Sequence, residues 1–235
     1  MAVTLQGILL LACLSFAKCW SVPKSRRQLF LETATAAALA VATPSPAQAF
    51  DNRISNKYDD RPKQRGAMPK DLGLSKLRKN LDGDYYEGLK SCGAAPNCFC
   101  STDSEEDDPE HYIPSWKWPS GMSEVEAFTQ LTQTVQSYKP GQNNIDGGGF
   151  KVVASKPNYL YVQFESLKNG YVDDVEFLSL RDEVQVRSSS RLGWLDFGVN
   201  AKRLNAIAEP LQKQGWKAIG VDYKSHPEYV YQNKL

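Results

Sequence analysis

Histidine is scarce in this sequence, which contains only His111 and His226. Neither lies in a recognisable catalytic motif, so the sequence disfavours a hydrolase triad. A strong charge of either sign is also missing. The formal net charge is +1, and removing residues 1–49 takes away four basic and one acidic residue, leaving 28 − 4 = 24 basic and 27 − 1 = 26 acidic residues, or −2. This balance does not fit a nucleic-acid-binding protein, which needs a basic surface.

Long apolar runs are missing beyond the first fifty residues, so we expect no transmembrane segment in the mature chain. The run GILLLACLSFA, residues 7–17, has the length of a signal-peptide core, and small residues precede a cut before Trp20. A twin-arginine pair in SRRQLF then precedes an alanine-rich stretch that ends in Ala-Gln-Ala at residue 49. These patterns predict a signal peptide over 1–19 and a second, twin-arginine transit signal over 20–49.

Two signals in this order resemble the compound presequence of algae with secondary plastids. The resemblance implies delivery across two membranes to the thylakoid lumen, with a mature chain that begins at Phe50. The alternative is a single uncleaved amino-terminal anchor on a secreted protein.

Residues 50–84 are rich in charge and poor in aliphatic residues, which predicts an extended polar arm that either docks on a partner or is disordered. The acidic run TDSEEDDPE, residues 102–110, is interpreted as a solvated loop because it lacks the ligand pattern of a calcium loop.

The remaining residues, 85–235, predict one α+β domain: an antiparallel β-sheet with two α-helices packed on one face. A helix over 123–138 begins with an S-x-x-E capping box, and its apolar face is expected to contain Val125, Phe128, Leu131 and Val135. A second helix over 199–214 is expected to have Asn200 as its cap and to kink or shorten near Pro210. Further strands are expected at WKAIGVDY, residues 216–223, and at the terminal EYVYQ.

Two hairpins are predicted between the helices, FKVVA with YLYVQFESL and YVDDVEFLSL with EVQVRSS. In the second hairpin, either a two-residue or a four-residue loop makes the numbers of paired residues sum to 363. Phe177 then faces Val186 on the apolar side, and Glu176 faces Arg187 on the other.

Three cysteines remain in the mature chain, at positions 92, 98 and 100. In an oxidising lumen we expect a Cys92–Cys98 disulfide around a short loop that can turn, with Cys100 left over. Free thiols, a zinc site and a redox switch in which Cys100 attacks the bridge are the alternatives, of which zinc is disfavoured by the spacing.

The stretch VRSSSRLGWLDFGVNAKR, residues 186–203, gathers arginines and serines where a strand gives way to a helix. One interpretation is a site for an anion at the helix amino terminus. The other is a structural junction in which Arg187 pairs with Glu176, Arg191 reaches Asp173 or Asp196, and the serines satisfy backbone groups. The candidate ligand-binding residues are Arg187, Ser188, Ser190, Arg191, Asp173, Asp174, Glu176, Asp196 and Asn200. No catalytic residue, metal or cofactor is predicted.

Four motifs in this order resemble the family known as domain of unknown function 1499, over about residues 90–215. They are the cysteine segment SCGAAPNCFCS, the Asp-Asp-x-Glu-Phe strand, the Arg-Ser-x-Ser-Arg-x-Gly turn and Asp-x-Gly-x-Asn before the second helix. The family has no agreed activity, and its members resemble stand-alone modules or appendages in bacteria and plastids. This chain departs from the pattern at Cys100, where a small residue is usual, and at Ala201, where a basic residue is common.

The sequence therefore favours a non-catalytic accessory protein of the thylakoid lumen, associated with photosynthetic membrane complexes. The arm and exposed aromatic residues such as Trp116 and Trp118 are expected to contact a protein partner. Alternatively, these two tryptophans cover the core. The alternative is a small anionic-ligand-binding domain, or an enzyme, that uses the Asp/Glu/Arg cluster of the 171–191 hairpin.

Overall fold

A computed structural model describes residues 52–70, 72–73, 78–79, 85–180 and 182–235. The predicted signals over 1–19 and 20–49, and the expected amino terminus at Phe50, lie outside the described residues. The predicted fold class is confirmed: one antiparallel sheet has two helices packed on one of its faces.

The strands of this sheet lie in the order β3-β7-β6-β5-β4, and every neighbouring pair is antiparallel. Two shorter strands, β1 and β2, pair with each other ahead of it. The strands are β1 (Arg78–Lys79), β2 (Tyr85–Tyr86), β3 (Cys98–Cys100), β4 (Gly149–Lys156), β5 (Tyr159–Glu165), β6 (Val172–Leu180) and β7 (Glu183–Ser190).

Both predicted hairpins are present, and the predicted register of the second is confirmed. Glu176 pairs with Arg187 and Phe177 with Val186, so paired residue numbers sum to 363 along the whole β6–β7 ladder. Successive side chains of a strand point to opposite faces, and this alternation gives the sheet two distinct surfaces. We call the surface that packs on the long helices the helix face, and the surface with Tyr159, Tyr161 and Leu178 the outer face.

The helices are α1 (Glu124–Gln136), α2 (Val199–Gln212) and α3 (Pro227–Asn233). The predicted capping box of α1 is confirmed, because Ser123 Oγ accepts a hydrogen bond from the Glu126 N–H while the Glu126 carboxylate accepts one from the Ser123 N–H. The expected place of Val125 in the apolar face is wrong, since its side chain is 73% exposed. Val125 lies to the side of the buried stripe, which contains Ala127, Phe128, Leu131, Thr134 and Val135.

Helix α2 corrects two expectations about its ends. Asn200 is not the cap; instead the carboxylate of Asp196 accepts hydrogen bonds from the N–H groups of Gly198 and Asn200. Pro210 does not end the helix, which continues to Gln212, two residues short of the predicted end. Pro210 lies in the last turn, so the single hydrogen bond that it removes leaves most of the helix intact.

The carboxyl-terminal segment is also different from the prediction. Residues 216–223 form no strand and make one isolated bridge, between Lys217 and Lys117. The Asn205 side chain binds both the N–H and the C=O of Val221 at 2.8 Å, which replaces the partner that a neighbouring strand would supply. The terminal EYVYQ lies in α3. Pro227 is in the first turn of this helix, where a backbone N–H would have no acceptor within the helix, so the missing N–H of proline costs nothing.

The two tryptophans expected on the surface are not available to a partner. Trp116 is fully buried and donates its indole N–H to the Ile219 carbonyl oxygen at 2.9 Å. Trp118 is half-buried, and its ring lies against that of Trp216. The expectation that both are exposed is therefore wrong, and the alternative that they cover the core agrees with the structure, since Trp116 belongs to the core and Trp118 packs against it.

The described part of the arm, residues 52–70, docks on the domain itself. The Ile54 N–H donates to the Gly147 carbonyl oxygen at 3.4 Å, the Gln64 N–H donates to the Asn169 carbonyl oxygen at 2.8 Å, and the Arg65 guanidinium binds the Glu165 carboxylate at 2.9 Å. Across the described residues we find no helix with the length and apolar character needed to cross a bilayer.

Candidate functional site

The sheet separates the predicted site residues into two groups. Neighbouring positions of β6 and β7 point to opposite faces, so Asp173 and Asp174 do not share a site. On the outer face lie Asp174, Glu176, Arg187 and Arg191, whereas Asp173, Ser188, Ser190, Asp196 and Asn200 lie on the helix side.

On the outer face, Arg191 and Asp174 form a two-pronged ion pair. Arg191 Nε lies 2.8 Å from Asp174 Oδ2, and Nη2 lies 2.7 Å from Oδ1. These hydrogen bonds raise the pKa of Arg191. The predicted partners, Asp173 and Asp196, are wrong, because one lies on the other face of the sheet and the other caps α2.

The predicted pair of Arg187 with Glu176 is present, with Nη1 and Oε2 separated by 3.6 Å. Glu176 is fully buried, and its other oxygen accepts hydrogen bonds from the Tyr159 hydroxyl at 2.7 Å and the Gly73 N–H at 2.9 Å. Two arginines and two carboxylates thus face each other on the outer surface, and their charges balance. Each arginine thus has a carboxylate beside it, which disfavours an external anion, although Nε and Nη1 of Arg187 and Oε2 of Glu176 are buried and make no hydrogen bond with the described residues.

The helix side contains a cluster centred on Arg203, which is fully buried in α2. Its guanidinium binds both oxygens of Asp146 at 2.6 and 2.9 Å and Oδ2 of Asp173 at 2.7 Å. The remaining donors reach Asn200 Oδ1 at 2.9 Å and Ser188 Oγ at 3.3 Å. All five N–H groups of Arg203 are therefore used within the protein.

Asn200 connects this cluster to the end of β7 and to the β3 edge. Its amide nitrogen contacts the Ser190 hydroxyl oxygen at 3.0 Å, the Asn97 carbonyl oxygen at 3.0 Å and Asp196 Oδ2 at 2.8 Å. The Tyr229 hydroxyl donates to the same Asp196 carboxylate. Asp196 is thus saturated by internal donors, and it occupies the amino terminus of α2, where one of the two interpretations of the sequence placed an external anion.

Electrostatics make the helix-side cluster acidic. Asp146 and Asp173 bring two carboxylates to one guanidinium, and burial raises the pKa of Asp146 despite the neighbouring charge of Arg203. Burial alone would lower the pKa of Arg203, but the two carboxylates outweigh it and raise that pKa, so Arg203 is permanently charged. The formal charge of this trio is −1 when both carboxylates are ionised.

A pocket with a cavity volume of ≈ 550 Å³ opens above this cluster. It lies where β5 and β7 end and α2 begins, between the loop over 141–147, the turn over 166–171, the loop over 190–199 and the arm. Among the described residues, no lysine or arginine lines it, whereas Asp146, Asp173 and Asp196 do. Its walls are apolar and consist mainly of Ile54, Leu167, Tyr171, Leu192, Leu195 and Phe197.

Three non-glycine residues of the pocket lie in the left-handed region of backbone conformation. Phe197 has a φ of 55°, Asp146 a φ of 54° and Asn144 a φ of 59°. For a bulky residue such as Phe197 this conformation costs about 1–3 kcal/mol, and it persists only when the surrounding structure enforces it. Here Asp196 on one side and Gly198 on the other, with a φ of 78°, direct the phenyl ring outwards to the pocket rim, where it is 71% exposed.

The groups that could support other chemistry lie elsewhere in the described part of the chain. His226 is buried and its Nε2 contacts the Tyr112 carbonyl oxygen at 2.8 Å; burial lowers its pKa. Within the described ranges, no set of histidine, cysteine and acidic residues has an arrangement that holds a metal ion.

The predicted Cys92–Cys98 disulfide is present, with a Cα–Cα distance of 5.7 Å. Cys100 is a buried free thiol whose pKa is raised to about 11, first by burial and then by the charge of Asp103. A thiol with this pKa is a poor nucleophile, which argues against the predicted alternative of a redox switch.

Sequence reasoning missed Arg203, Asp146 and the apolar residues of the pocket wall. Arg203 lies in the arginine-rich stretch but was not placed in a site, and wall residues such as Ile54 give no local signal. Asp146 lies 57 residues from Arg203 in the sequence, so only the folded chain brings them together. The glycine-rich run IDGGG, in which Asp146 lies, is the sequence signal that could have drawn attention to this loop.

These features define a class: an α+β domain with a buried arginine–carboxylate cluster under an apolar pocket. Residues 88–211 match the family described as "Protein of unknown function (DUF1499)", which is more than half of the chain. The chain belongs to this family, as its motifs predicted. No curated protein and no solved structure matches the chain.

Proposed function

We propose that the protein is a non-catalytic accessory protein of the thylakoid lumen, associated with photosynthetic membrane complexes, and that it acts by binding a small, largely apolar molecule. The pocket above the Arg203 cluster is the observation that carries the binding function. Its volume of ≈ 550 Å³ lies in the range of roughly 300–1,000 Å³ that is typical of ligand pockets, and its walls are apolar, as ligand pockets usually are.

Access to the pocket supports the same function. Ile54, Tyr171, Leu192 and Phe197 line the pocket and are also exposed, so apolar side chains surround its mouth. The alternative, an anionic-ligand site on the 171–191 hairpin, has less support, because Arg187 and Arg191 are already paired with carboxylates.

Binding is tested with the mature chain and Nile red, a neutral apolar dye whose fluorescence rises when it leaves water. We expect one saturable site in the wild-type protein. Placing a carboxylate in the pocket wall, with Ile54→Asp or Leu192→Asp, should weaken binding at least tenfold, because an apolar ligand would remove water from the new charge. Both side chains are partly exposed in the wild-type protein, so the variants should still fold. Val125→Asp is the matched control on an exposed site away from the pocket and should change nothing. Absence of saturable binding to the wild-type protein would overturn the binding function.

The lumenal address has its own test. Amino-terminal sequencing of protein isolated from its native source should find Phe50 or a neighbouring residue first, because the Ala-Gln-Ala pattern ends at position 49. An amino terminus at Trp20 or Met1 would contradict the lumenal location. Co-migration with a thylakoid complex on a native gel is expected, and protein found only free in the lumen fraction would contradict the association.

A further inference from the structure

The floor of the pocket has a polar group that the fold leaves unsatisfied. Asp173 is 8% exposed and lines the pocket, and its Oδ2 accepts a hydrogen bond from Arg203 at 2.7 Å. Its Oδ1 receives no hydrogen bond from any described residue. The Asp173 side chain is 11% exposed and lines the pocket, so this oxygen is an accessible acceptor to which a bound molecule can donate a hydrogen bond.

The hydroxyl of Ser190 lies at the same end of the pocket. Ser190 is the cross-strand partner of Asp173, and its oxygen accepts a hydrogen bond from Asn200 at 3.0 Å. Its own hydrogen has no acceptor among the described residues. The floor therefore presents one free carboxylate oxygen, with a hydroxyl as its neighbour.

Charge decides which head group this floor accepts. Arg203 is the only cation in contact with the Asp146 and Asp173 carboxylates among the described residues, and all its N–H groups are used. The N–H groups at the start of a helix favour an anion, but at α2 those of Gly198 and Asn200 already donate to the Asp196 carboxylate. A carboxylate or phosphate head would meet excess negative charge, with only the neutral Ser190 hydroxyl free to donate to it, whereas a head group that donates a hydrogen bond meets a free acceptor.

From these contacts we propose that the pocket binds an amphiphile with an apolar body and a hydrogen-bond-donating head, a hydroxyl or a protonated amine, which donates to Asp173 Oδ1. The inference rests on the proposed binding function and names its ligand class. It reverses the anionic specificity that the arginine-rich sequence suggested.

The test compares three probes that share a ten-carbon chain and differ only in the head: 1-decanol, decylamine and decanoate. Each displaces Nile red from the wild-type mature chain at pH 7.5, where the amine and the acid are both charged. We expect decanol and decylamine to bind at least tenfold more tightly than decanoate. Tighter binding of decylamine would identify a cationic head as the preferred donor, and tighter binding of decanol a neutral one.

Asp173→Asn links the preference to this side chain. Removing the charge should reduce the advantage of decylamine over decanoate by about tenfold, with each affinity expressed relative to that of Nile red for the same variant. Thermal melting shows whether Asp173→Asn is folded. If it is not, the order in which the wild-type protein binds the three probes still decides the inference.

Two outcomes separate this inference from the function beneath it. If Nile red binds at one site but decanoate displaces it as well as decylamine does, the donor-head inference is wrong and the binding function stands. If neither Nile red nor any of the three probes binds, both are wrong.

Discussion

Buried arginines show how single residues hold this domain together. Arg191, Arg203 and Arg187 each contact a carboxylate inside the protein, but with different geometry. Arg203 uses all five donors, Arg191 binds Asp174 through two short hydrogen bonds, and Arg187 lies 3.6 Å from its carboxylate. Removing one partner of a buried pair leaves the other charge without compensation, so the stability of the domain is sensitive to each of these residues.

The Arg191 pair gives the first prediction. Arg191→Gln leaves Asp174 as an uncompensated carboxylate with almost no exposure, and we expect the free energy of unfolding to fall by about 3 kcal/mol. Urea unfolding followed by circular dichroism measures this change. Lys213→Gln, which breaks the exposed Lys213–Glu209 pair in α2, is the control and should leave the urea midpoint in place. Equal midpoints for wild type and Arg191→Gln would contradict the structural role of Arg191.

Cys100 gives a second prediction at this scale. With its pKa raised to about 11, only about a thousandth of the thiol is ionised at pH 8, and burial also blocks access. In the mature chain we expect iodoacetamide to leave the folded protein unmodified over an hour at pH 8. After unfolding in guanidinium without reductant, mass spectrometry should find one modified thiol, at Cys100. Modification of Cys100 in the folded protein would contradict its assignment as an inert thiol, and three modified thiols would contradict the disulfide.

Secondary-structure elements differ in how much the sequence could reveal about them. The β6–β7 register was predictable because a short loop and strict alternation leave one pairing that buries Phe177 opposite Val186. The 216–223 segment has the residues of a strand, but it needs a neighbour to pair with, and the Asn205 side chain takes that place. The pocket could not be predicted for a related reason, since its floor joins Asp146 to residues more than twenty-five positions away.

Helix α1 offers a test at the scale of an element. Ser123→Ala removes one side of the capping box and leaves the N–H groups of the first turn without a partner, so we expect a loss of about 1 kcal/mol in unfolding free energy. Differential scanning calorimetry should record this as a drop in Tm of about 2–4 °C. Thr129→Ala removes a hydroxyl from the same helix, one that bonds only to Val125 C=O within the helix, and should not lower Tm. Equal effects of the two substitutions would show that the cap contributes nothing.

At the scale of the whole molecule, the arm and the pocket form one structure. The arm contacts the loop over 141–147 through Ile54, the β5–β6 turn through Gln64, and the loop after β7 through Gly66. Those three segments are the ones that enclose the pocket, and both Ile54 and Gln64 line it. An arm that sequence reasoning assigned to a partner or to disorder therefore completes a wall of the pocket within its own chain.

Deleting the arm tests this connection. A chain that begins at Asp71 loses the Ile54 and Gln64 wall and the Arg65–Glu165 ion pair, so the pocket becomes an open groove that excludes water poorly. Compared with a chain that begins at Phe50, we expect Nile red affinity to fall at least tenfold, with a smaller loss of Tm because the core of the sheet and helices is unchanged. Asp60→Ala, an exposed arm position outside the pocket, is the control and should preserve both values. If the shortened chain keeps the full affinity for Nile red, the pocket does not depend on the arm, and a site bounded by the loops alone would account for the binding.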